Sequence, residues 1–248
     1  MRVLILGGTG DANRLVSMLA HDAACHIVLS LAGRTSQPHL PPCATRVGGF
    51  GGSPGMAAYL KCNSIDLVAD VTHPFAANIS QNAVSACAQT GVALVRFERT
   101  EFTRQKGDDW HIFTDLEALV QTLAGKPRRI FLSHGREGLR LFARHKQHHY
   151  LVRSIEPPPD FELLADARLI LARGPFALDD EIMLLREAAI NTLVSKNSGG
   201  DATAAKIAAA RQLGLEVMML ARPRKAAVRS FTALNIMAAW ILAHGQPP

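Results

Sequence analysis

The sequence is poor in cysteine and in aromatic side chains. Its 248 residues include 4 cysteines, none of them in a Cys-x-x-Cys pair, and aromatic residues make up 6%. A disulfide framework or a zinc site needs cysteines in a closer and more regular spacing, so we expect free thiols and a cytoplasmic protein. The few aromatic residues do not alternate with basic runs, which argues against a nucleic-acid-binding surface.

Long apolar runs are also absent. The longest run late in the chain extends from Ile236 to Ala243, whereas a membrane-spanning helix needs about 20 apolar residues. The apolar run near the N-terminus is short and stops at glycines, so we expect no signal peptide. The sequence therefore predicts no membrane partner.

The balance of charge favours a negatively charged ligand. The formal net charge is +6 at pH 7 and the pI is about 9.5, and a basic field attracts anions. A mildly basic enzyme with no special partner is an equally good interpretation of these values. The length of 248 residues and the hydrophobic content of 48% allow one large globular domain or two smaller ones.

Strand-like apolar runs alternate with helical patterns along the chain, which is typical of α/β proteins with parallel sheets. Strands are predicted near residues 2–6, 26–31, 45–47, 66–70, 93–97, 129–133, 150–154, 168–172, 192–195 and 216–220. Helices are predicted near residues 11–20, 55–61, 76–89, 137–144, 178–189, 202–213 and 231–244. Segment 98–111 is polar and is predicted to be a connection. We therefore predict two Rossmann-like domains with mainly parallel sheets facing each other across a cleft, a cofactor domain at 1–110 and a substrate domain at 111–248.

The first strand runs into a glycine turn formed by Gly7, Gly8, Thr9 and Gly10, and a helical pattern begins at Asp11. A strand, a glycine turn and a helix N-terminus in this order are typical of the site that binds a dinucleotide pyrophosphate. The match to the usual G-x-G-x-x-G pattern is partial, because asparagine occupies the last glycine position. The alternatives are a turn that needs glycine for its backbone alone and a purely capping role for Asp11.

The end of the second strand carries no acidic residue. NAD-binding units place Asp or Glu there to bind the ribose hydroxyls, whereas this chain has Ser30, Gly33, Arg34 and Thr35. An arginine can pair with a 2′-phosphate, and the two hydroxyls can donate hydrogen bonds to it. The sequence therefore predicts NADPH/NADP+ as the cofactor, the alternative being that Arg34 is an ordinary solvated arginine.

Two further loops follow predicted strands of the first half, where ligands of α/β proteins bind. The first surrounds Phe50 with four glycines, and we expect Gly49 and Phe50 to contact the cofactor. The second contains Thr72, expected at the cofactor, and His73 and Phe75, expected at the substrate. The alternatives are an ordinary connection for the first loop and, for the second, a helix cap by His73 with the following proline in the first helical position.

In the second half, Arg173 and Lys196 also follow predicted strands, and Ser198 and Gly199 come directly after Lys196. Cations, hydroxyls and backbone N–H groups at such a place suit a ligand with several carboxylates. The glycines around Gly199 could equally form a turn and a helix cap. The histidines at 145, 148 and 149 are not accompanied by cysteine or carboxylate ligands, so no metal site is predicted.

Six segments are informative together: ILGGTGDA (5–12), SLAGRT (30–35), RVGGFGG (46–52), DVTHPFAANIS (70–80), RGPF (173–176) and KNSGGDATAAK (196–206). In their order they resemble the precorrin-6A reductase family of the corrin (vitamin B12) pathway, which includes cobalt-precorrin-6A reductases. The resemblance extends over about residues 3 to 206. GGFGG and THPFA together are specific to the family, whereas the glycine turn alone is not.

The resemblance implies reduction of one double bond in a methylated tetrapyrrole, with hydride going to one ring carbon and a proton to its neighbour, which gives precorrin-6B. The substrate, precorrin-6A, is a large flat anion with several carboxylates, and NADPH is the usual donor in the family. Phe50 and His73 would then lie near the junction of nicotinamide and substrate. The residues expected to hold the carboxylates are Arg136, Arg173, Lys196 and Ser198. His73 and Lys196 are the candidate proton donors, with water or the substrate's own acidic groups as alternatives.

Three other functions fit the sequence less well. A non-catalytic NADP(H)-sensing module would leave the cationic loops of the second half without a role. A short-chain-type reductase or epimerase normally needs a Tyr-x-x-x-Lys pair, but Tyr59 is followed four residues later by Asn63, and Tyr150 by Ser154. A phosphate-handling enzyme would need the lysine of a P-loop, which this sequence lacks.

Overall fold

A computed structural model describes residues 1–33 and 41–244 of the chain. The chain forms two compact units. The first unit consists of Met1–Arg99 together with the segment that begins at Pro223, and the second consists of Thr100–Arg222. In the described part of the chain, no helix is both long and apolar enough to cross a membrane.

The first unit is built on a six-stranded sheet in the order β12-β5-β4-β1-β2-β3. Its strands are β1 (Arg2–Leu6), β2 (His26–Leu31), β3 (Ala44–Val47), β4 (Leu67–Asp70), β5 (Ala93–Phe97) and β12 (Arg229–Phe231). All neighbouring strands are parallel. The last residue of β1, Leu6, lies between Ser30 of β2 and Asp70 of β4. The strand order therefore reverses on the two sides of β1.

Helices cover both faces of this sheet, which explains why its central strand is an unbroken apolar run. Helices α1 (Gly10–Leu19) and α8 (Leu234–His244) pack against each other. Helices α2 (Gly52–Cys62) and α3 (Ala77–Thr90) also pack against each other. The buried side chains between the sheet and α1 and α8 include Val3, Ile5, Leu15, Val16, Leu19, Met237 and Ile241, and those between the sheet and α2 and α3 include Leu4, Leu6, Met56, Leu60, Val68 and Ala83.

The second unit repeats this architecture with a six-stranded sheet in the order β6-β11-β10-β7-β8-β9. Its strands are β6 (Asp109–Phe113), β7 (Arg129–Ser133), β8 (His149–Ser154), β9 (Ala167–Leu171), β10 (Thr192–Lys196) and β11 (Glu216–Leu220), all parallel to their neighbours. Its helices are α4 (Leu116–Gln121), α5 (Leu139–Phe142), α6 (Leu178–Glu187) and α7 (Ala205–Leu213), with 3₁₀ turns at Phe161–Leu163 and Asp201–Thr203. Here the strand order reverses between β7 and β10.

The prediction of an α/β protein with two Rossmann-like parallel sheets is confirmed. The predicted cleft between the domains stays a prediction. The predicted helix at 137–144 is shorter than expected, because only Leu139–Phe142 is helical.

The predicted division into 1–110 and 111–248 differs from the structure in two respects. The first unit ends at Arg99, and the segment from Pro223 onward returns to it. The return has a physical cause, because β12 pairs with β5 and the apolar residues of α8 complete the core beside α1. Segment 98–111, predicted to be a connection, contains the start of β6.

Candidate active site

The first unit has its ligand-binding edge where the carboxyl ends of its parallel strands meet. In open α/β sheets a ligand binds outside these ends, at the point where the strand order reverses. In this unit that point lies beside β1, between β2 and β4. The predicted loops after β1, β2, β3 and β4 all begin at this edge, so the structure brings them to one side of the sheet.

The turn after β1 is held by Thr9, which is the N-cap residue of α1. Its hydroxyl accepts a hydrogen bond from the backbone N–H of Ala12 at 3.2 Å and donates one to the carbonyl of Val71 at 2.8 Å. The second bond ties the turn to the end of β4. The Thr9 hydroxyl therefore makes its hydrogen bonds within the protein, and the group that Thr9 offers to a ligand is its backbone N–H.

The glycines of this turn have different roles. A Cβ on Gly7 would lie 2.6 Å from Cδ1 of Leu29, so Gly7 packs closely against β2 and a larger residue would displace the Leu29 side chain. A Cβ on Gly8 or on Gly10 would meet no described atom within 4 Å, and Gly8 has a φ of +93°. Open space therefore lies before the N-terminus of α1, whose first N–H groups have no acceptor within the helix. A pyrophosphate fits this arrangement, because the N–H groups and the helix dipole both favour an anion.

Asp11 does not face this space as a free carboxylate. It is buried, and it forms ion pairs with Arg14 and with Arg99, which follows β5. The proposed capping role of Asp11 is wrong, because Thr9 is the N-cap residue. The pairs place two guanidinium groups next to the first turn of α1.

Ser30 lies near the end of β2 and is buried. Its hydroxyl accepts a hydrogen bond at 2.7 Å from Nη1 of Arg46, which is on the neighbouring strand β3. Gly33 follows β2 with a φ of +74°, and a Cβ on it would lie 3.1 Å from Cγ1 of Val47. Arg34 and Thr35, the other residues predicted at the 2′-phosphate, lie outside the described residues.

The glycine-rich loop after β3 is fixed by close backbone packing. A Cβ on Gly55 would lie 1.8 Å from the carbonyl oxygen of Phe50, so only glycine is compatible with this approach. The Phe50 ring packs edge-on against Tyr59, with their centroids 5.3 Å apart. A Cβ on Gly49 would meet no described atom within 4 Å. The loop therefore has a defined structure and is not an ordinary flexible connection.

A buried ion pair lies beneath the loop after β4. Nε of Arg96 on β5 donates to Oδ2 of Asp70 at 2.9 Å, and both side chains are at most 3% exposed. Burial alone would raise the pKa of Asp70, but hydrogen bonds from Thr72 and Ser80, the charge of Lys225 and the bond from Arg96 lower it. The Thr72 hydroxyl, 2.6 Å from Oδ1 of Asp70, is therefore held by the fold.

His73 is oriented by its own loop. Its Nδ1 accepts a hydrogen bond from the backbone N–H of Phe75 at 3.2 Å, and the two rings are 5.8 Å apart. A neutral ring with an accepting Nδ1 carries its proton on Nε2. The alternative that His73 caps the following helix is wrong, because α3 begins at Ala77 and its N-cap residue is Ala76.

The second unit has a corresponding edge between β7 and β10. Ser133 of β7 lies opposite Ser195 of β10, so the loops that begin at His134 and Asn197 are neighbours. Nζ of Lys196 lies 3.7 Å from the position of a Cβ on Gly135. Lys196 is therefore placed at the point where the strand order of this unit reverses.

Lys206 is a buried lysine that was not among the predicted site residues. It is 4% exposed, and its Nζ donates to the carbonyl and hydroxyl oxygens of Ser133 at 3.2 and 3.0 Å. Burial and the charges of Arg153 and Lys196 lower the pKa of Lys206 to about 7, against the opposing effect of Glu181.

His134 is buried next to these cations. Burial lowers its pKa to about 3, together with the charges of Lys196 and Lys206, so the ring is neutral at pH 7. Its Nε2 is 3.0 Å from the carbonyl of Glu137. Its Nδ1 is buried and has no hydrogen-bond partner in the part of the chain that the structure describes.

The other predicted substrate residues are spread along this edge. Arg136 follows β7 and pairs with Glu156 at 3.7 Å. Arg173 follows β9, the outer strand of the sheet, and is exposed. Ser198 is buried, with its carbonyl accepting from Arg222 at 2.9 Å. A Cβ on Gly199 would lie 2.0 Å from the carbonyl oxygen of Thr100, so this glycine is needed for packing.

The sequence did not predict roles for several charged residues, because each is the one charged residue in an apolar segment. Arg96 interrupts the run Ala93–Phe97, and Lys206 is the one charged residue in a run of alanines at 204–210. Such isolated charges are a usable signal, because a charge is seldom buried without a partner. No cluster of three or more histidine, cysteine or acidic side chains suited to a metal occurs within residues 1–33 and 41–244.

Comparison with known proteins gives a consistent result. The model of the family described as Precorrin-6x reductase CbiJ/CobK matches residues 2–242. The chain is 47% identical over 247 residues to a precorrin-6A reductase of Rhodobacter capsulatus, covering 100% of this chain and 98% of that protein. It is 45% identical over 244 residues to a precorrin-6A reductase of a Sinorhizobium species, covering 97% and 94%. A solved structure described as CobK precorrin-6A reductase superposes with a TM-score of 0.93 at 46% identity, covering 100% of this chain and 98% of that chain.

Proposed function

Because the chain belongs to the precorrin-6x reductase family, we propose that it catalyses the NADPH-dependent reduction of precorrin-6A to precorrin-6B in cobalamin biosynthesis. The observation that carries the proposal is the full-length similarity, at 47% identity, to an oxidoreductase of that name. We also propose a cytoplasmic location, because the cysteines at 25, 43, 62 and 87 are free thiols.

NADPH is the proposed donor because the first unit offers what this cofactor needs. Gly8 and Gly10 leave open space before the N-terminus of α1, where the pyrophosphate would bind. The end of β2 carries Ser30 and no carboxylate, so a 2′-phosphate meets no like charge there. When bound, NADPH supplies the hydride that reduces the macrocycle.

The second unit is proposed to hold the acidic side chains of the substrate. Lys196 and Arg136 lie at the centre of its ligand-binding edge, and Arg173 lies three strands away from β10. Since neighbouring strands are about 4.8 Å apart, these cations are spread over roughly 15 Å, which suits a wide ring with several carboxylates. Arginine and lysine form charge-assisted hydrogen bonds with such groups.

Proton transfer is assigned to His73 or Lys196. In the neutral His73 ring the proton is on Nε2, because Nδ1 accepts from Phe75. Lys196 can donate from Nζ when it is charged. Either group would give the proton to the carbon next to the one that accepts hydride, and water is the remaining alternative.

The proposal is tested by anaerobic incubation of the purified protein with precorrin-6A and NADPH. We expect oxidation of the nicotinamide at 340 nm, about one equivalent per macrocycle, together with a change in the visible spectrum of the tetrapyrrole. Parallel reactions with NADH and with cobalt-precorrin-6A identify the preferred donor and substrate. Tight NADPH binding without turnover of either macrocycle would favour the NADP(H)-sensing alternative.

Single-turnover kinetics at saturating substrate distinguish the two proton donors. We expect the variant of the true donor, His73→Ala or Lys196→Met, to lower the chemical rate by about 100-fold or more, which is the usual contribution of a general acid. A variant that raises KM at an unchanged chemical rate has lost a binding group. If both variants keep the wild-type chemical rate, the proton comes from water.

A further inference from the structure

Arg46 occupies a central position at the cofactor edge of the first unit. It lies on β3 directly opposite Ser30 of β2. Its Nη1 donates to the Ser30 hydroxyl at 2.7 Å and to the carbonyl of Gly48 at 3.0 Å, and its Nη2 donates to the carbonyl of Gly49 at 2.9 Å. One side chain therefore connects the end of β2 with the glycine-rich loop after β3.

The guanidinium group also stacks on aromatic side chains. Its Cζ lies 3.8 Å from the centroid of the Phe50 ring and 5.2 Å from that of Tyr59. Stacking and hydrogen bonding together fix the plane of the group, so it presents a rigid fork, unlike a flexible surface arginine.

The fork keeps unused donors and an uncompensated charge. A guanidinium has five N–H groups, and the contacts above use three. Within residues 1–33 and 41–244, no carboxylate forms an ion pair with Arg46. The bond to Gly49 is exposed to solvent. A rigid, partly exposed cation without a carboxylate partner is suited to an anionic ligand.

We propose that Arg46 is a specificity-determining residue that binds the 2′-phosphate of NADPH. This inference rests on the proposed function. In Rossmann-type units the adenosine ribose lies beyond the end of β2, where NAD-specific proteins place an acidic residue. In this chain Ser30 lies at that position, and the guanidinium group of Arg46 donates a hydrogen bond to its hydroxyl. The position therefore carries hydrogen-bond donors, whereas a carboxylate there would accept hydrogen bonds from the ribose hydroxyls. A 2′-phosphate is the part of NADPH that such a fork recognises.

A purely structural role for Arg46 makes a different prediction. If Arg46 only holds the loop, its loss weakens every adenine nucleotide equally. If it contacts the 2′-phosphate, its loss weakens only the nucleotides that carry this group. The pair 2′,5′-ADP and 5′-AMP distinguishes the two roles, because these probes differ by the 2′-phosphate alone and lack nicotinamide.

The experiment measures the Kd of 2′,5′-ADP, 5′-AMP, NADPH and NADH by calorimetry for wild type, Arg46→Met and Arg46→Lys. The control is Lys61→Met, which removes an exposed positive charge from α2 in the same unit. For Arg46→Met we expect an increase of about 10- to 100-fold in the Kd of 2′,5′-ADP and NADPH. The Kd of 5′-AMP and NADH should stay within about twofold, and Arg46→Lys should fall in between, because lysine keeps the charge and loses the fork.

An equal loss for 2′,5′-ADP and 5′-AMP would overturn the inference and leave loop positioning as the role of Arg46. No loss for either probe would overturn it too. In both cases wild-type binding of NADPH would leave the proposed function standing. Wild-type protein that binds neither NADPH nor 2′,5′-ADP would contradict the cofactor assignment itself. Arg46→Lys allows the same decision if Arg46→Met does not fold.

Discussion

The two units share the order of five strands, but the sixth strand is the last of the first unit (β12) and the first of the second (β6). The groups that line the carboxyl ends of their strands also differ. In the first unit β1 is followed at once by the ten-residue helix α1, whose N-terminus is capped by Thr9 and faces open space beside Gly8 and Gly10. In the second unit β7 is followed by α5, which has four residues and no side-chain cap. A short, uncapped helix has little dipole to offer an anion.

The second unit supplies cationic side chains without such a helix N-terminus, whereas the first unit combines a helix N-terminus with the guanidinium groups of Arg46 and Arg99. Lys196 lies at its edge, and Lys206 and the neutral ring of His134 are buried next to it. Backbone donors suit a phosphate that must approach the chain closely, whereas flexible cations suit carboxylates spread over a wide ligand. We therefore propose that the first unit holds the nucleotide and the second holds the polycarboxylate.

Each unit also contains a buried ion pair, and replacing its acidic partner should give the largest effect. Asp70→Asn leaves the Arg96 charge buried, and Glu181→Gln does the same to Arg153, which is bonded to Glu181 at 2.9 Å and stacked on Phe176. We expect each substitution to lower the free energy of unfolding by about 3–5 kcal/mol. Urea unfolding measures this.

Single-tryptophan variants show where the loss occurs. Trp110 belongs to the core of the second unit, and Trp240 packs against the core of the first. Asp70→Asn should lower the urea concentration of the unfolding transition reported by Trp240 more than that of the transition reported by Trp110. Glu181→Gln should do the reverse. Equal shifts at both tryptophans would show that the units unfold together.

The open space before the N-terminus of α1 can be filled by a substitution at Gly10. Gly10→Leu should place a side chain where we propose that the pyrophosphate binds, and it should raise the Kd of NADPH on the order of 100-fold, because several phosphate hydrogen bonds would be lost. The melting temperature should change little, since a Cβ there meets no described atom within 4 Å. Calorimetry and thermal unfolding check both expectations.

The matched control for this prediction is Gly7→Ala. Its Cβ would lie 2.6 Å from the Leu29 side chain, so it should lower stability by about 1–3 kcal/mol through overpacking. If Gly10→Leu binds NADPH as tightly as wild type does, the nucleotide does not bind at this turn. The proposed difference between the two units, a helix N-terminus in the first and side chains in the second, would then be wrong.

The third prediction concerns Lys206 of the second unit. Its pKa is lowered from 10.5 to about 7 in the folded protein, so between these values the unfolded chain binds more protons. Stability therefore rises with pH in this window, by at most about 1.4 kcal/mol per pH unit. From pH 7.5 to 9 the gain should be roughly 1–2 kcal/mol, measured by urea unfolding of Trp110.

Lys206→Met is the control, because it removes the titrating group and should flatten this part of the pH profile. All other groups are shared by the two proteins, so the difference between their profiles isolates Lys206. Parallel profiles for wild type and Lys206→Met would contradict the lowered pKa.

Local pattern was sufficient for the central strands and for the glycine turn. The run Arg2–Leu6 is apolar because it is buried on both faces, and its end at glycines is visible without any partner strand. The outer strands β3 and β9 were predicted, whereas the outer strands β6 and β12 were missed for a physical reason. β6 is half exposed at the edge of its sheet, with Ile112 65% exposed, and β12 has three residues, so neither shows a buried periodicity.

The sequence alone determined the fold class, the glycine turn after β1 and the family, because each is visible in short segments of the chain. The tertiary structure decided which distant side chains meet. Ser30 and Arg46 are 16 residues apart, Asp70 and Arg96 are 26 apart, and Ser133 and Lys206 are 73 apart. Parallel strands are joined by long crossovers, so residues that share a strand end are remote in sequence. These contacts, like the return of α8 to the first unit, exist only once the sheets have formed.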